Sequence, residues 1–153
     1  MSRILIQIFS ASLLLVISLG SCSKDNGNSN KEAGEKFLEE NGKRTGVITT
    51  ASGLQYEILV AGTGSVPNIA SNVRVRYTGT LINGTVFDTT NSGSAVLSVG
   101  GVIKGWQEVL KMMPSGSKWK IYLPYSLGYG ATARDKIPAY SALIFEIELL
   151  GIA

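Results

Sequence analysis

Most of this chain alternates apolar and polar residues with a period of two, and one short stretch breaks that rhythm with a helical one. Leu54, Tyr56, Ile58 and Val60 interleave with Gln55, Glu57 and Leu59, and Val73, Val75 and Tyr77 interleave with Arg74, Arg76 and Thr78. Lys118 to Leu123 alternates again, and Leu143, Phe145, Ile147 and Leu149 share one face of the final segment, Ala142 to Leu150. Period two sends successive side chains to opposite faces, so these segments read as half-buried strands. Asn83-Gly84 supplies a hairpin turn between Thr80-Leu81 and Val86-Phe87, and Ala95 to Val99 is a short apolar strand. Trp106, Val109, Leu110 and Met113 instead recur at helical spacing and stop before Pro114. A sheet with one apolar face must bury it, and this helix is the available cover. The implied class is α+β, an antiparallel sheet over one short helix.

The chain has 153 residues, 44% of them hydrophobic, which is enough for one core and hardly for two. What precedes the strands is an appendage. Arg3 stands before an apolar stretch, Ile4 to Leu19, that is short for a bilayer span and the right size for a signal-peptide core. It ends in Leu19-Gly20-Ser21-Cys22, which resembles a bacterial lipoprotein signal: residues 1–21 are removed and Cys22 carries the acyl chains. Cys22 is the only cysteine, so it makes no intramolecular disulfide. Each buried CH2 contributes about 0.8 kcal/mol, so several chains on Cys22 would anchor the protein to a membrane where one would not. Ser23 to Asn30 has no large apolar residue and reads as a flexible tether. Lys31 to Asn41 is rich in helix formers, with Phe37 and Leu38 its only apolar contacts and Gly42 a stop. Residues 22–45 are thus expected to hold the acylated cysteine, the tether and a short helix, and residues 46–153 the globular domain. A helix this short is unstable alone and must dock on the body or fray. It is too small for a dimerisation arm, so a monomer is expected. The net charge of +3 is dispersed among acids, which excludes a polybasic footprint for nucleic acid.

The chemistry-bearing residues concentrate between Gly84 and Ala131. Phe87-Asp88, Val102 to Trp106 and Tyr129-Gly130-Ala131 bring rings, aliphatic side chains and a single carboxylate, and the chain contains no histidine. A set without a nucleophile suits a reaction that makes and breaks no covalent bond, such as rotation about a prolyl peptide bond. No metal-ligand cluster, phosphate loop or catalytic triad is present, and Gly100-Gly101 does not open a helix in the dinucleotide pattern, so no cofactor or metal is expected. Ordinary packing competes for several of these residues. Trp106 on a helix's apolar face, and Tyr77, Ile103 and Phe145 in their segments, would serve a core equally well. Asp88 taken alone reads as a strand-end carboxylate accepting from backbone amides.

Taken in order, Ser52-Gly53-Leu54-Gln55-Tyr56, Tyr77-Thr78-Gly79, Gly84 with Phe87-Asp88, Val102 to Trp106, Gly128-Tyr129-Gly130-Ala131 and Ile137-Pro138 resemble the FKBP-type peptidyl-prolyl isomerases over Ser52 to Leu150. The lead-in helix resembles the bacterial envelope branch without its longer dimerisation region. The resemblance implies a strongly curved antiparallel sheet, a half-barrel wrapped over one short helix. It implies Trp106 as the floor of a pocket, with Tyr77, Phe87, Val102, Ile103 and Phe145 as walls and Ile137 at the mouth. Tyr129 and the backbone amide of Ile103 would donate to substrate carbonyls, while Asp88 would accept from Tyr129 or neighbouring donors. The partners implied are proline-containing polypeptides, with macrolides as further ligands. Three departures stand out: Ala95 where animal relatives carry an aromatic wall, a short Val99-Gly100-Gly101-Val102 connection, and Ala139 after Pro138.

These side chains suit the reaction for a definite reason. Amide resonance holds the C–N bond planar with a barrier of about 18–20 kcal/mol. A twisted amide loses charge separation, so an apolar pocket penalises the planar ground state more than the transition state. The implied activity is peptidyl-prolyl cis-trans isomerisation of exported proteins at the bacterial cell envelope. The alternative is a chaperone or adhesin module that binds proline segments with little turnover, for which Ala95 is the best support. A purely structural surface lipoprotein would leave the aromatic set without a use.

Overall fold

The computed structural model describes residues 26–153. Helix α1 (Asn26–Gly42) leads into strands β1 (Ile48–Thr49), β2 (Gln55–Val60), β3 (Asn72–Leu81), β4 (Val86–Thr89) and β5 (Ala95–Ser98). A 3-10 turn (Val99–Gly101) then precedes helix α2 (Lys104–Leu110), strand β6 (Lys118–Leu123), a second 3-10 turn (Tyr125–Leu127) and strand β7 (Leu143–Ile152). One antiparallel sheet runs β1-β2-β6-β7-β3-β4, and β5 pairs with the first half of β3. Bulges at Ile58/Val60, Arg74/Val75 and Gly79/Thr80 bend the strands. The α+β reading, an antiparallel sheet covering a short helix, matches this architecture.

The alternation in the sequence becomes burial. Val73 and Val75 of β3, Ile121 and Leu123 of β6, and Phe145, Ile147 and Leu149 of β7 meet Trp106, Val109, Leu110 and Met113 in one core. The β3–β4 hairpin turns where Asn83-Gly84 requires it, with Gly84 at φ +86 and its amide donating to Leu81 O at 2.9 Å.

Two features depart from the local pattern, and both trace to α1. The helix begins at Asn26, five residues before Lys31, so residues 26–30 are helical and not tether. It docks on the body. Gln55 and Tyr122, paired across β2 and β6, are 5% and 2% exposed although their neighbours Leu54, Ile121 and Leu123 face the core. Phe37 packs on Tyr122 with centroids 6.0 Å apart, Asn41 Nδ2 donates to Gln55 Oε1 at 2.9 Å, and Gln55 Nε2 donates to Leu38 O at 2.8 Å. Thus α1 covers the sheet face opposite α2 and buries that outer face of β6 at Tyr122. At the sheet edge the alternation of β2 lapses: Ile58 and Val60 are 50% and 51% exposed, because β1 pairs only with Gln55 and Tyr56. The expected signal segment 1–21, Cys22 and the first residues of the expected tether lie outside the described residues.

Candidate functional site

The site forms where four strands and α2 converge. Trp106 enters from the first turn of α2, Tyr77 from β3, Phe145 from β7 and Leu97 from β5. With Gly101, Val102, Ile103, Asp88 and Tyr129 they enclose a cavity of about 270 Å³. Trp106 is 3% exposed, and its indole stands at right angles to two rings, Tyr77 at 5.1 Å and Phe145 at 5.3 Å between centroids. Edge-to-face packing fixes each ring by its neighbours, so the floor is rigid as well as apolar.

Among the described residues Asp88 is the only carboxylate lining this cavity, and it is engaged. Tyr77 Oη donates to Asp88 Oδ2 at 2.7 Å, across the β3–β4 pair. Burial first, and then this bond to a carboxylate, pushes the Tyr77 phenol above its ordinary range, so it remains a protonated donor at neutral pH. The sequence left open whether Asp88 serves Tyr129 or a neighbour; the bond goes to Tyr77. Tyr129 lies in the loop after β6, half-buried, with the Arg134 guanidinium 5.5 Å above its ring. Ile103 caps α2 in an extended conformation, and its carbonyl accepts from Gln107 N at 3.1 Å. Its amide therefore precedes the helical ladder and belongs to the cavity-lining segment.

Of the residues named from the sequence, Tyr77, Asp88, Val102, Ile103, Trp106, Tyr129 and Phe145 share this cavity. Phe87 and Ile137 do not. Phe87 lies over Gly79 and packs at right angles to Phe145, with centroids 5.4 Å apart. With Ile137, Arg134, Asp135 and Lys136 it lines an adjoining cavity, also about 270 Å³, that shares Asp88 and Tyr129 with the first. β5 contributes Leu97, not Ala95, to the lining of the main cavity. The two residues share one strand face, and Leu97 is the one next to the turn leading into Val102. Alternation from Ala95 could have identified Leu97. Nothing local marks Gln107, whose Nε2 donates to Val102 O at 2.9 Å and to Gly100 O at 3.3 Å and so braces the lining segment. Trp119 is buried and stacks on Tyr56 at 4.6 Å, away from the site.

The family pattern described as "FKBP-type peptidyl-prolyl cis-trans isomerase" matches residues 64–150, and that of the "domain amino terminal to FKBP-type peptidyl-prolyl isomerase" matches residues 19–58. A solved peptidyl-prolyl cis-trans isomerase from Pseudomonas syringae pv. tomato superposes with a TM-score of 0.80 at 32% identity, over 86% of this chain and 98% of that one. The chain belongs to the FKBP-type peptidyl-prolyl cis-trans isomerase family. Within that family it is 49% identical over 122 residues to the FKBP-type 22 kDa isomerase of Escherichia coli K12, covering 78% of this chain and 59% of that protein. It is 44% identical over 126 residues to the outer membrane protein MIP of Legionella longbeachae, covering 80% and 54%. The chain spans about half the length of the curated FKBP-type relatives it matches. The amino-terminal match includes α1, so the lead-in helix is part of a family domain and not only a spacer.

Proposed function

We propose that this protein is a peptidyl-prolyl cis-trans isomerase that assists the folding of exported proteins from a lipid anchor at Cys22 on the bacterial cell envelope. The observation that carries this reading is the cavity floored by Trp106 and walled by Tyr77, Leu97, Val102, Ile103 and Phe145, with no serine, cysteine, lysine or histidine among its described lining residues. A proline ring seated on the indole would place its preceding imide bond in an apolar enclosure, where the planar, charge-separated form is disfavoured relative to the twisted one. Tyr129 and the Ile103 amide would hold the substrate carbonyls. The scheme calls for no proton transfer by Asp88. That carboxylate holds the Tyr77 hydroxyl, and through it the ring that stands at right angles to Trp106. Uncatalysed X-Pro isomerisation takes tens of seconds or more, so a tethered catalyst would speed clients as they emerge.

Support for the envelope setting is the stretch Ile4 to Leu19 ending in Leu19-Gly20-Ser21-Cys22, together with the relative described as an outer membrane protein. The binding-only alternative draws on the small Ala95; against it, Leu97 on the same strand face adds an apolar side chain to the cavity lining. A protease-coupled assay on proline peptides tests the main reading: acceleration is expected, reduced in Asp88→Ala and Tyr129→Phe while both remain folded. Peptide affinity without acceleration would favour the binding module. Cys22→Ala should release the protein from the membrane fraction, and retention there would refute the anchor.

A further inference from the structure

Helix α1 is fixed to the molecule at both ends. At its carboxyl end, beyond the Asn41–Gln55 bond, Arg44 Nη1 donates to Asn41 Oδ1 at 2.7 Å and to Tyr122 Oη at 3.1 Å. At its amino end the contacts are with the second 3-10 turn and the segment that follows it. Asn30 Nδ2 donates to Ala139 O at 3.1 Å, the Lys31 ammonium sits 5.9 Å from the centre of the Tyr125 ring, and Gly34 approaches so closely that a Cβ there would lie 2.9 Å from Ala142 Cβ. A helix of this length spans about 25 Å. It is a strut from the outer face of β2 and β6 to the loop between β6 and β7.

That loop carries Tyr129, and its conformation is costly. Tyr140 has φ +58, a left-handed conformation that costs a non-glycine residue about 1–2 kcal/mol and persists only where the surroundings impose it. The surroundings here are specific. The Tyr140 ring packs on Tyr125 at 5.3 Å and lies against α1 at Gly27, while the Tyr140 amide donates to Gly130 O at 2.9 Å. Gly130 directly follows Tyr129. Asn30 holds the carbonyl of Ala139, the next residue's amide holds Gly130, and Gly130 sets where the Tyr129 ring emerges. A cavity of about 210 Å³ between α1 and Tyr125, Tyr140 and Ala142 leaves the loop room to settle elsewhere if the helix lets go.

We propose that α1 positions the site, with Asn30 as a positioning residue that acts through Ala139, Tyr140 and Gly130 on Tyr129. The inference rests on the isomerase reading above and deepens it. The amino-terminal helix then tunes turnover as well as distance from the membrane, and a client or envelope partner that displaced it would lower activity without touching the pocket.

The full chain tests this with Asn30→Asp, which turns the donor into an acceptor facing Ala139 O but, in the first turns of α1, does not weaken the helix. Gly34→Leu is a second, steric route to the same undocking. The expected result is a fall in kcat/KM toward a proline peptide of roughly three- to tenfold, the scale of one lost hydrogen bond, and of less than about twofold in a Tyr129→Phe background. Exchange of the Tyr140 amide should accelerate by roughly the same factor while the amides of β3 and β7 keep their protection. An unchanged kcat/KM in both variants overturns the proposal, and so does an equal loss in the wild-type and Tyr129→Phe backgrounds. If the wild-type chain shows no acceleration, the isomerase reading fails; unchanged Tyr140 exchange in both variants would then overturn the coupling separately.

Discussion

Gly79 is the residue on which the shape of the pocket wall most depends, and Gly79→Ala would test that directly. A Cβ at this position would lie 2.6 Å from Phe87 Cζ, 2.7 Å from Phe87 Cε2 and 2.8 Å from Phe145 Cε1. Carbon atoms prefer about 3.5–4.0 Å, so the rings must yield by roughly 1 Å. The backbone has no room to retreat, because Gly79 pairs with Phe145 on one side and Asp88 on the other. Phe145 is held in turn by Trp106 and Tyr77, with centroids at 5.3 and 6.5 Å. Overpacking of this kind costs about 1–3 kcal/mol, offset by about 0.4–1 kcal/mol from the reduced freedom of the unfolded chain. The net expectation in urea denaturation is a loss of about 1–2 kcal/mol. A displacement of about 1 Å in a binding wall can cost up to a hundredfold in rate, so kcat/KM in the protease-coupled assay should fall at least tenfold. Gly84→Ala is the control: it meets nothing within 4 Å but sits at φ +86, so it should lose about 1 kcal/mol of stability and keep its catalysis. Gly79→Ala with wild-type stability and rate would refute the packing argument, as would an equal loss of rate in Gly84→Ala.

Three further outcomes follow from the same geometry. Tyr77 holds its proton above the ordinary phenol range, so its contribution to stability is complete below about pH 10 and is lost as pH rises through the folded-state value; Tyr77→Phe should make the alkaline fall in urea stability shallower, and an unchanged slope would contradict the Tyr77–Asp88 assignment. Asn41→Leu strips partners from Arg44 and the buried Gln55 and should cost about 1–3 kcal/mol in the same denaturation experiment, whereas a neutral result would mean that α1 is not held at that end. Trp106→Ala removes the indole from a site 3% exposed and should lose about 3–5 kcal/mol together with nearly all acceleration of proline peptides; retained activity in a folded variant would remove the indole from the mechanism.

Much of the fold is legible in residue order. Val73 and Val75, or Phe145, Ile147 and Leu149, announce strands and their inward faces because a pleated backbone must alternate its side chains. The same reasoning assigns Ile58 and Val60 inward, and it fails there because burial needs a neighbour and β1 stops short of them. Gln55 looks like an outward polar residue until α1 is laid over it. In the site, the resemblance brings together the residues of the main cavity, yet it places Phe87 in the wall and Ala95 at a gap. Phe87 lines the adjoining cavity that shares Asp88 and Tyr129, and Leu97 joins Phe145 in the lining of the main one.

Periodicity and turn chemistry are properties of neighbouring residues, and they suffice for the α+β class, the Asn83-Gly84 turn and the Trp106 helix. The Tyr77–Asp88 bond, the Asn30–Ala139 contact and the choice of Leu97 over Ala95 depend on how β3, β7, α2 and α1 come to rest against one another. Those contacts join segments as much as 109 residues apart, and only the closing of the core fixes which side chains share a cavity.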